Sequence, residues 1–323
     1  MGLALLLLIG GCVAALVLVW GIVRDARCPA RATAGWALAR GLQVDPAALG
    51  LEFSDECFCD GLRAWKIRGG DPSSDVTTVL IHGWRRSRID SLRRIHPWFA
   101  RSRELWLIDL AGHGESPRGP TTLGVRDVDD VMHLARSLVE GAHANAPRAT
   151  RLLIVGHSLG ASIGLRASAR LEPQSLAGVV AIAPYESLAE PLTNRLVARA
   201  LPAIPFARIA AGWLHALCGV EASPSKALAQ LHHAEVPLLV IASTHDAVVS
   251  VEHVVQMVAQ ADHTRARHPL HLFVDQCASH DDLATAVDNE ATTPCATAMR
   301  SFLATITDST AKKQPGAATK IEA

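Results

Sequence analysis

The pentapeptide Gly156-His157-Ser158-Leu159-Gly160 places a serine hydroxyl where it can serve as a nucleophile. It follows the apolar run Leu152-Leu153-Ile154-Val155 and opens a helical stretch at Leu159. A strand that turns sharply into a helix at G-x-S-x-G lifts the serine out of the sheet on a strained backbone. Gly156 and Gly160 keep side chains from colliding where strand and helix converge, and the helix aims its first N–H groups at the reacting centre. A serine held this way attacks an acyl carbonyl once a neighbouring base takes its proton. The ordinary alternative is a Gly-rich turn, and the strand before and helix after argue against it.

A base and an acid should follow in the order Ser, Asp/Glu, His, each just past a strand. Val236–Ala242 runs into Ser243-Thr244-His245-Asp246, so Asp246 is the expected acid. Pro269–Val274 runs into Asp275-Gln276-Cys277-Ala278-Ser279-His280, so His280 is the expected base. Fifteen histidines make chance triads easy, and the others need accounting. His157 sits beside the serine and reads as a packing or hydrogen-bonding residue; His82 and His113 read as loop braces; His245 comes too early to be the base. Asp275, Asp281 and Asp282 compete with Asp246, but the last two follow His280 at once and are poorly placed to orient it. No His/Cys/carboxylate spacing suits a metal, so neither a metal nor a cofactor is expected.

On these residues the chain resembles the α/β-hydrolase fold serine hydrolases of esterase and lipase type, over about residues 50–305. His82-Gly83-Trp84, directly after the strand Thr77–Ile81, resembles that family's oxyanion loop, and Asp109–Ser116 its turn after the next strand. The resemblance implies an acyl-enzyme on Ser158, with His280 as base, Asp246 behind it, and the backbone N–H groups of Trp84 and Leu159 receiving the oxyanion. His82, Gly83, Gly156, His157 and Gly160 then support the loop and the serine turn.

The elements that must position these groups alternate. Compact apolar runs at Thr77–Ile81, Glu104–Leu110, Arg151–Val155, Leu176–Ala183, Val236–Ala242 and Pro269–Val274 read as strands buried on both faces. Helical stretches at Thr122–His143, Leu159–Leu171, Val251–Ala261 and Ala296–Ile306 separate them. The pattern predicts an α/β domain over 51–306, with a mostly parallel central sheet and helices on both faces. Leu51–Cys59 and Leu62–Arg68 flank Asp60-Gly61 and read as a hairpin at its start. The interval 185–235 exceeds one crossover and carries apolar helical pieces broken by Pro202, Pro205 and Pro224, so a small helical cap insertion is expected there. Its apolar residues suit either a lid facing an acyl chain or ordinary packing. Residues 307–323 read as a disordered tail.

Residues 2–23 contain no charge and no proline, and 22 helical residues span about 33 Å, enough for a hydrocarbon core of about 30 Å. Residues 1–27 are therefore expected to be an N-terminal transmembrane anchor, with 28–50 a juxtamembrane linker. A cleaved signal peptide fits less well, because no Lys or Arg precedes the run and no small-x-small site follows it. A lipoprotein signal ending at Cys12 fails because the apolar run continues to Val23. Arg24, Arg27 and Arg31 follow the run, which favours a single-pass protein with a cytoplasmic catalytic domain; a periplasmic or extracellular domain is the alternative.

Composition bounds the rest. Equal counts of basic and acidic residues, 31 each, give no reason to expect a nucleic-acid partner. Seven cysteines are expected to be buried or half-buried thiols, with a Cys277–Cys295 bridge conceivable only in an oxidising compartment. Seven arginines lie between Arg85 and Arg103, with only Asp90 opposing them in that window. They suggest either a basic surface for anionic headgroups or a plain solvated face. The function expected is a membrane-anchored serine hydrolase of carboxylic esters or thioesters, possibly with an acyl or lipid-like substrate. A non-catalytic binding protein of the same fold, or a peptidase or acyltransferase with the same triad, is the alternative.

Overall fold

The computed structural model describes residues 2–141, 151–219, 222–261, 270–285 and 293–311. Eight strands form one sheet: β1 (Phe53–Phe58), β2 (Leu62–Arg68), β3 (Val76–Ile81), β4 (Glu104–Ile108), β5 (Arg151–His157), β6 (Leu176–Ile182), β7 (Leu238–Ser243) and β8 (Leu270–Asp275). Their spatial order is β1-β2-β4-β3-β5-β6-β7-β8. β2 runs antiparallel to both β1 and β4, and every other neighbouring pair is parallel. β3, β6 and β7 are buried along their whole length, because helices cover both faces.

The helices are α1 (Gly2–Arg27), α2 (Ala34–Leu38), α3 (Arg88–Ser91), α4 (His96–Phe99), α5 (Asp127–Glu140), α6 (Leu159–Ser168), α7 (Ala189–Val197), α8 (Phe206–Cys218), α9 (Pro224–His233), α10 (Val251–Ala261) and α11 (Pro294–Ala311). On one face of the sheet α5, α6, α9 and α10 pack each against the next; on the other, α4 meets α11. α5 shows why such helices form: Val128, Val131, Leu134, Ala135 and Leu138 recur at helical spacing and are all buried. Gly141, at φ 72°, ends it in the left-handed conformation.

Three expectations need correction. The interval 185–235 is not all cap: α9 packs against α6 and α10 and belongs to the body, which leaves α7 and α8 as the insertion. The segment 28–50 lies on the body rather than free of it. Ala32 and Ala37 are buried, and the Arg31 guanidinium donates to the carbonyls of Ser116 and Pro117. α11 continues to Ala311, past the expected tail boundary at 307, and residues 312–323 lie outside the described residues.

α1 is long and apolar enough to cross a membrane. From Leu3 to Val17 its large side chains are exposed, whereas Val19, Ile22, Val23 and Ala26 are buried. The last two turns pack against α8, so the helix grows out of the folded body. All seven cysteines are free thiols, which removes the Cys277–Cys295 bridge. Contrary to expectation most are exposed: Cys12, Cys28, Cys57, Cys59 and Cys277 face solvent, and Cys295 is buried.

Candidate active site

Residues 82–84, Ser158, Asp246 and His280 follow the carboxyl ends of parallel strands β3, β5, β7 and β8, where the loops of such a sheet gather, and Gly156 and His157 end β5 itself. Ser158 follows β5 at φ 54° and ψ −115°, a strained conformation for a residue with a side chain. The turn tolerates no bulk on either side. A Cβ on Gly156 would lie 2.2 Å from the Gly160 carbonyl oxygen, and one on Gly160 would lie 2.2 Å from that of Ile81. The Ser158 N–H donates to Ile182 O at 2.8 Å, which pins the turn to β6.

His280 lies beyond β8 with its Nε2 3.0 Å from Ser158 Oγ. Its Nδ1 is 2.7 Å from Asp246 Oδ2. The other oxygen of Asp246 accepts the backbone N–H groups of Val248 and Val249 at 2.7 and 2.8 Å. The carboxylate is thereby fixed in the plane that meets the ring, and Nδ1 is the nitrogen that donates to it. Asp275, the rival acid, caps its own turn by accepting from the N–H groups of Cys277 and Ala278. His245 points elsewhere, to the Thr244 hydroxyl.

His157 donates from Nε2 to the His280 carbonyl at 2.9 Å. Burial, with Arg94 and His280 nearby, holds its ring well below the usual histidine range, so it is a neutral brace behind His280. His82 donates from Nδ1 to the Gly83 carbonyl and accepts from the Leu110 N–H at Nε2, joining the loop after β3 to the end of β4. Burial pushes it down to about 4. His113 stacks beside it at 5.2 Å between ring centroids and is likewise lowered to about 4, by burial and then by His82. Gly83 lies so close to the serine that an added Cβ would sit 3.3 Å from Ser158 Cβ. Next to it, neither the Trp84 nor the Leu159 backbone N–H has an acceptor among the described residues.

The arginines after β3 form neither of the expected surfaces. Asp90 serves Arg93 and Arg94 within the window, and the other partners lie outside it. Buried Arg88 pairs with Asp55, Asp109 and Glu115. Asp109 also accepts the backbone N–H groups of Arg88 and Glu115, and Gly114 leaves no room for a Cβ against it. Arg86 pairs with Asp281, and Arg93 with Asp282 at 2.7 Å. Arg94, 3% exposed, binds the Asp90 carboxylate at 2.7 Å and the carbonyls of Asp281 and Leu283 at 2.7 and 3.1 Å. Burial opposes ionisation of Asp281, but the Arg86 hydrogen bond and charge outweigh it and hold the carboxyl below its usual range. These arginines clamp the loop that carries His280. The arginine run and Asp90 were visible in the sequence, but not the remote partners Asp281 and Asp282.

Ala26 of α1 is a residue that sequence reasoning missed. It lines the small cavity over Ser158, about 40 Å³, together with Trp84, Leu159, Tyr185, Leu192 and Leu214. Trp84 bonds to the Ala26 carbonyl, and its indole lies between the guanidinium groups of Arg85 and Arg195, at 4.6 and 4.8 Å. Asp25 pairs with Arg85. Among the described residues no cluster of His, Cys, Asp and Glu could hold a metal ion.

A family model described as the alpha/beta hydrolase family matches residues 78–287. None of the curated proteins matches the chain in sequence. Among solved structures, an esterase of Pyrococcus furiosus is 20% identical with a TM-score of 0.56, covering 79% of this chain and 90% of its own. A membrane phospholipase A, described as a bacterial virulence factor, is 18% identical with a TM-score of 0.57, covering 95% of this chain and 98% of its own. A thioesterase domain from the curacin biosynthetic pathway is 14% identical with a TM-score of 0.50, covering 78% and 99%. At these identities the likeness is one of fold.

Proposed function

Since the chain belongs to the alpha/beta hydrolase family, we propose that it is a serine hydrolase that cleaves carboxylic esters or thioesters through an acyl-enzyme on Ser158, while α1 holds it at a membrane. The observation that carries the reading is the line of contacts from Ser158 Oγ to His280 Nε2 at 3.0 Å and from His280 Nδ1 to Asp246 Oδ2 at 2.7 Å. It begins at a serine whose backbone is strained outward.

The chemistry follows from that line. Ser158 Oγ attacks the acyl carbonyl as His280 Nε2 takes its proton, and Asp246 stabilises the resulting imidazolium. The carbonyl oxygen becomes an oxyanion facing the free N–H groups of Trp84 and Leu159, each worth about 2.7–4 kcal/mol of barrier. His280 returns its proton to the leaving alkoxide or thiolate as the C–O or C–S bond breaks. Water then enters, His280 takes its proton, and the acyl group leaves Ser158 as a carboxylic acid.

The exposed apolar side chains of α1 from Leu3 to Val17 support a bilayer as its surroundings. Arg24 and Arg27 at the end of the helix support placing the body on the cytoplasmic side. That a solved neighbour is described as a membrane phospholipase A, and another as an esterase, supports an acyl ester as the substrate class. A fluorophosphonate probe should label the intact chain and fail to label Ser158→Ala. A folded chain that takes no label would overturn the proposal in favour of a binding protein without catalysis.

A further inference from the structure

The cavity over Ser158 is far smaller than the roughly 300–1,000 Å³ of ligand pockets, and no acyl chain fits it as it stands. A second groove adjoins it. This one, about 320 Å³, runs between α1 and α7 and is lined by Val17, Leu18, Gly21 and Ile22 on one side and by Leu192 and Leu196 on the other. The groove and the cavity share Ala26, Trp84, Leu192 and Arg195. Trp84 and Arg195 stack on each other and line both spaces, so movable side chains stand between the groove and the cavity.

We infer that this groove is the port through which a membrane lipid passes its acyl chain from the leaflet to Ser158, so that α1 is both tether and one wall of the binding site. The inference rests on the serine-hydrolase reading and names its substrate as a long-chain acyl ester of the bilayer. Three observations choose lipid as the occupant. The groove is continuous with the exposed apolar length of α1, whose own surroundings are hydrocarbon. α8, packed on α1, turns Ala207, Ala210, Ala211 and Leu214 inward and leaves Ile209, Trp213 and Leu217 exposed, an apolar row pointing out of the body. The α7–α8 connection adds exposed Leu201 and Ile204. An apolar patch that continues a membrane helix belongs in the bilayer with it. Arg199, exposed at the groove's rim, lays its stem over apolar surface and keeps its charge at headgroup level.

Gly21 offers the test, because it lines the groove and a Cβ added there meets nothing within 4 Å. The full chain in phosphatidylcholine vesicles is assayed on a long-chain acyl ester carried in the bilayer and on water-soluble p-nitrophenyl butyrate. Gly21→Phe should lower hydrolysis of the bilayer ester about 10-fold or more and leave the butyrate rate within about 2-fold. Gly21→Leu should give a smaller loss of the same kind, and Gly10→Phe, elsewhere on α1, should change neither rate. Full activity of Gly21→Phe on the bilayer ester, or equal loss on both substrates, overturns the port. A second readout needs no catalysis. In a Ser158→Ala chain, a phosphatidylcholine with a diazirine in its acyl chain should cross-link to Ile22, Leu192 or Leu196, and the adduct should vanish with Gly21→Phe. Lipid adducts that form elsewhere on α1 but not at these three residues would show that something other than lipid covers the groove, and would also overturn the port. If the wild-type chain hydrolyses neither ester and takes no fluorophosphonate, the hydrolase reading fails, and the cross-link alone decides the port.

Discussion

The Trp84 indole N–H donates to the Ala26 carbonyl oxygen at 3.0 Å, which ties the loop after β3 to the last turn of the N-terminal helix. The residue proposed to receive the oxyanion through its backbone is thus held through its side chain by the proposed tether. Ala26 also faces the cavity over Ser158.

A chain begun at residue 28 should therefore be a damaged enzyme rather than a soluble version of the same one. It loses the buried Val19, Ile22 and Val23, each worth about 1.5–3 kcal/mol, along with a wall of the cavity. Its kcat/KM on p-nitrophenyl butyrate should fall about 10-fold or more, and its melting temperature should fall with it. Trp84→Phe keeps an aromatic face but removes the pyrrole half of the indole with its N–H, and the lost hydrogen bond alone is a change of about 0.5–1.5 kcal/mol. Kinetics and melting in one detergent compare all three; a fully active truncated chain would refute the coupling.

Asp246→Asn keeps an oxygen for the Val248 and Val249 N–H groups but turns an NH₂ toward His280 Nδ1. The ring must then carry its proton on Nε2, where it can no longer accept from Ser158. We expect kcat to fall by about 10²–10⁴ with KM little changed and the fold intact by circular dichroism. A KM effect without a kcat effect would place Asp246 outside the chemistry.

Arg94→Leu should cost about 3 kcal/mol in urea denaturation, because it leaves the buried Asp90 carboxylate with Arg93 alone, at 3.6 Å. It also frees the carbonyls of Asp281 and Leu283, next to the base, so the surviving folded protein should show a lower kcat. Arg94→Lys restores the charge but not the fork of donors, and should recover stability more than kcat.

Stability should fall as pH drops from about 6.5 toward 4. His82 and His113, both near 4 by burial, and His157, held well below the usual histidine range by burial, are neutral when folded and would protonate on unfolding. Each contributes stability that is present above the unfolded value of about 6.5 and is lost below it. Asp130 works the other way. Burial and then Asp127 raise it to about 6, so its contribution is present below its unfolded value and fades as pH rises through 6. Asp109, also raised by burial, acts in the same direction as Asp130. The balance is an uptake on the order of one to two protons on unfolding near pH 5. Unfolding free energies measured between pH 4.5 and 7.5 should rise with pH, and His113→Gln should flatten the slope; a flat profile in the wild type would contradict the burial argument.

The strands were legible because β3, β6 and β7 are buried on both faces and so read as compact runs of apolar and β-branched residues. Ser158, Asp246 and His280 were legible because each follows such a run at once or within a few residues. The arginine clamps were not. Arg86 meets Asp281, and Arg93 meets Asp282, almost two hundred residues later, and no local pattern announces a pair so remote. Nor could the two roles of α1 be separated, since Ile22 buried against the body and Leu6 facing outward are the same chemistry in the sequence. α9 was drawn into the cap because Pro224 looked like a break; it is the first residue of a helix that Ser223 caps by accepting from the Lys226 N–H.

The clamps set a limit on how this protein can be rebuilt. Residues 82–94 both shape the pocket beside Trp84 and hold residues 281–283 beside His280. A loop borrowed from another hydrolase to change substrate preference would arrive without its counterweights, leaving Asp281 and Asp282 facing the wrong charges. Grafts at this position should succeed only as matched sets, with both segments taken from one donor.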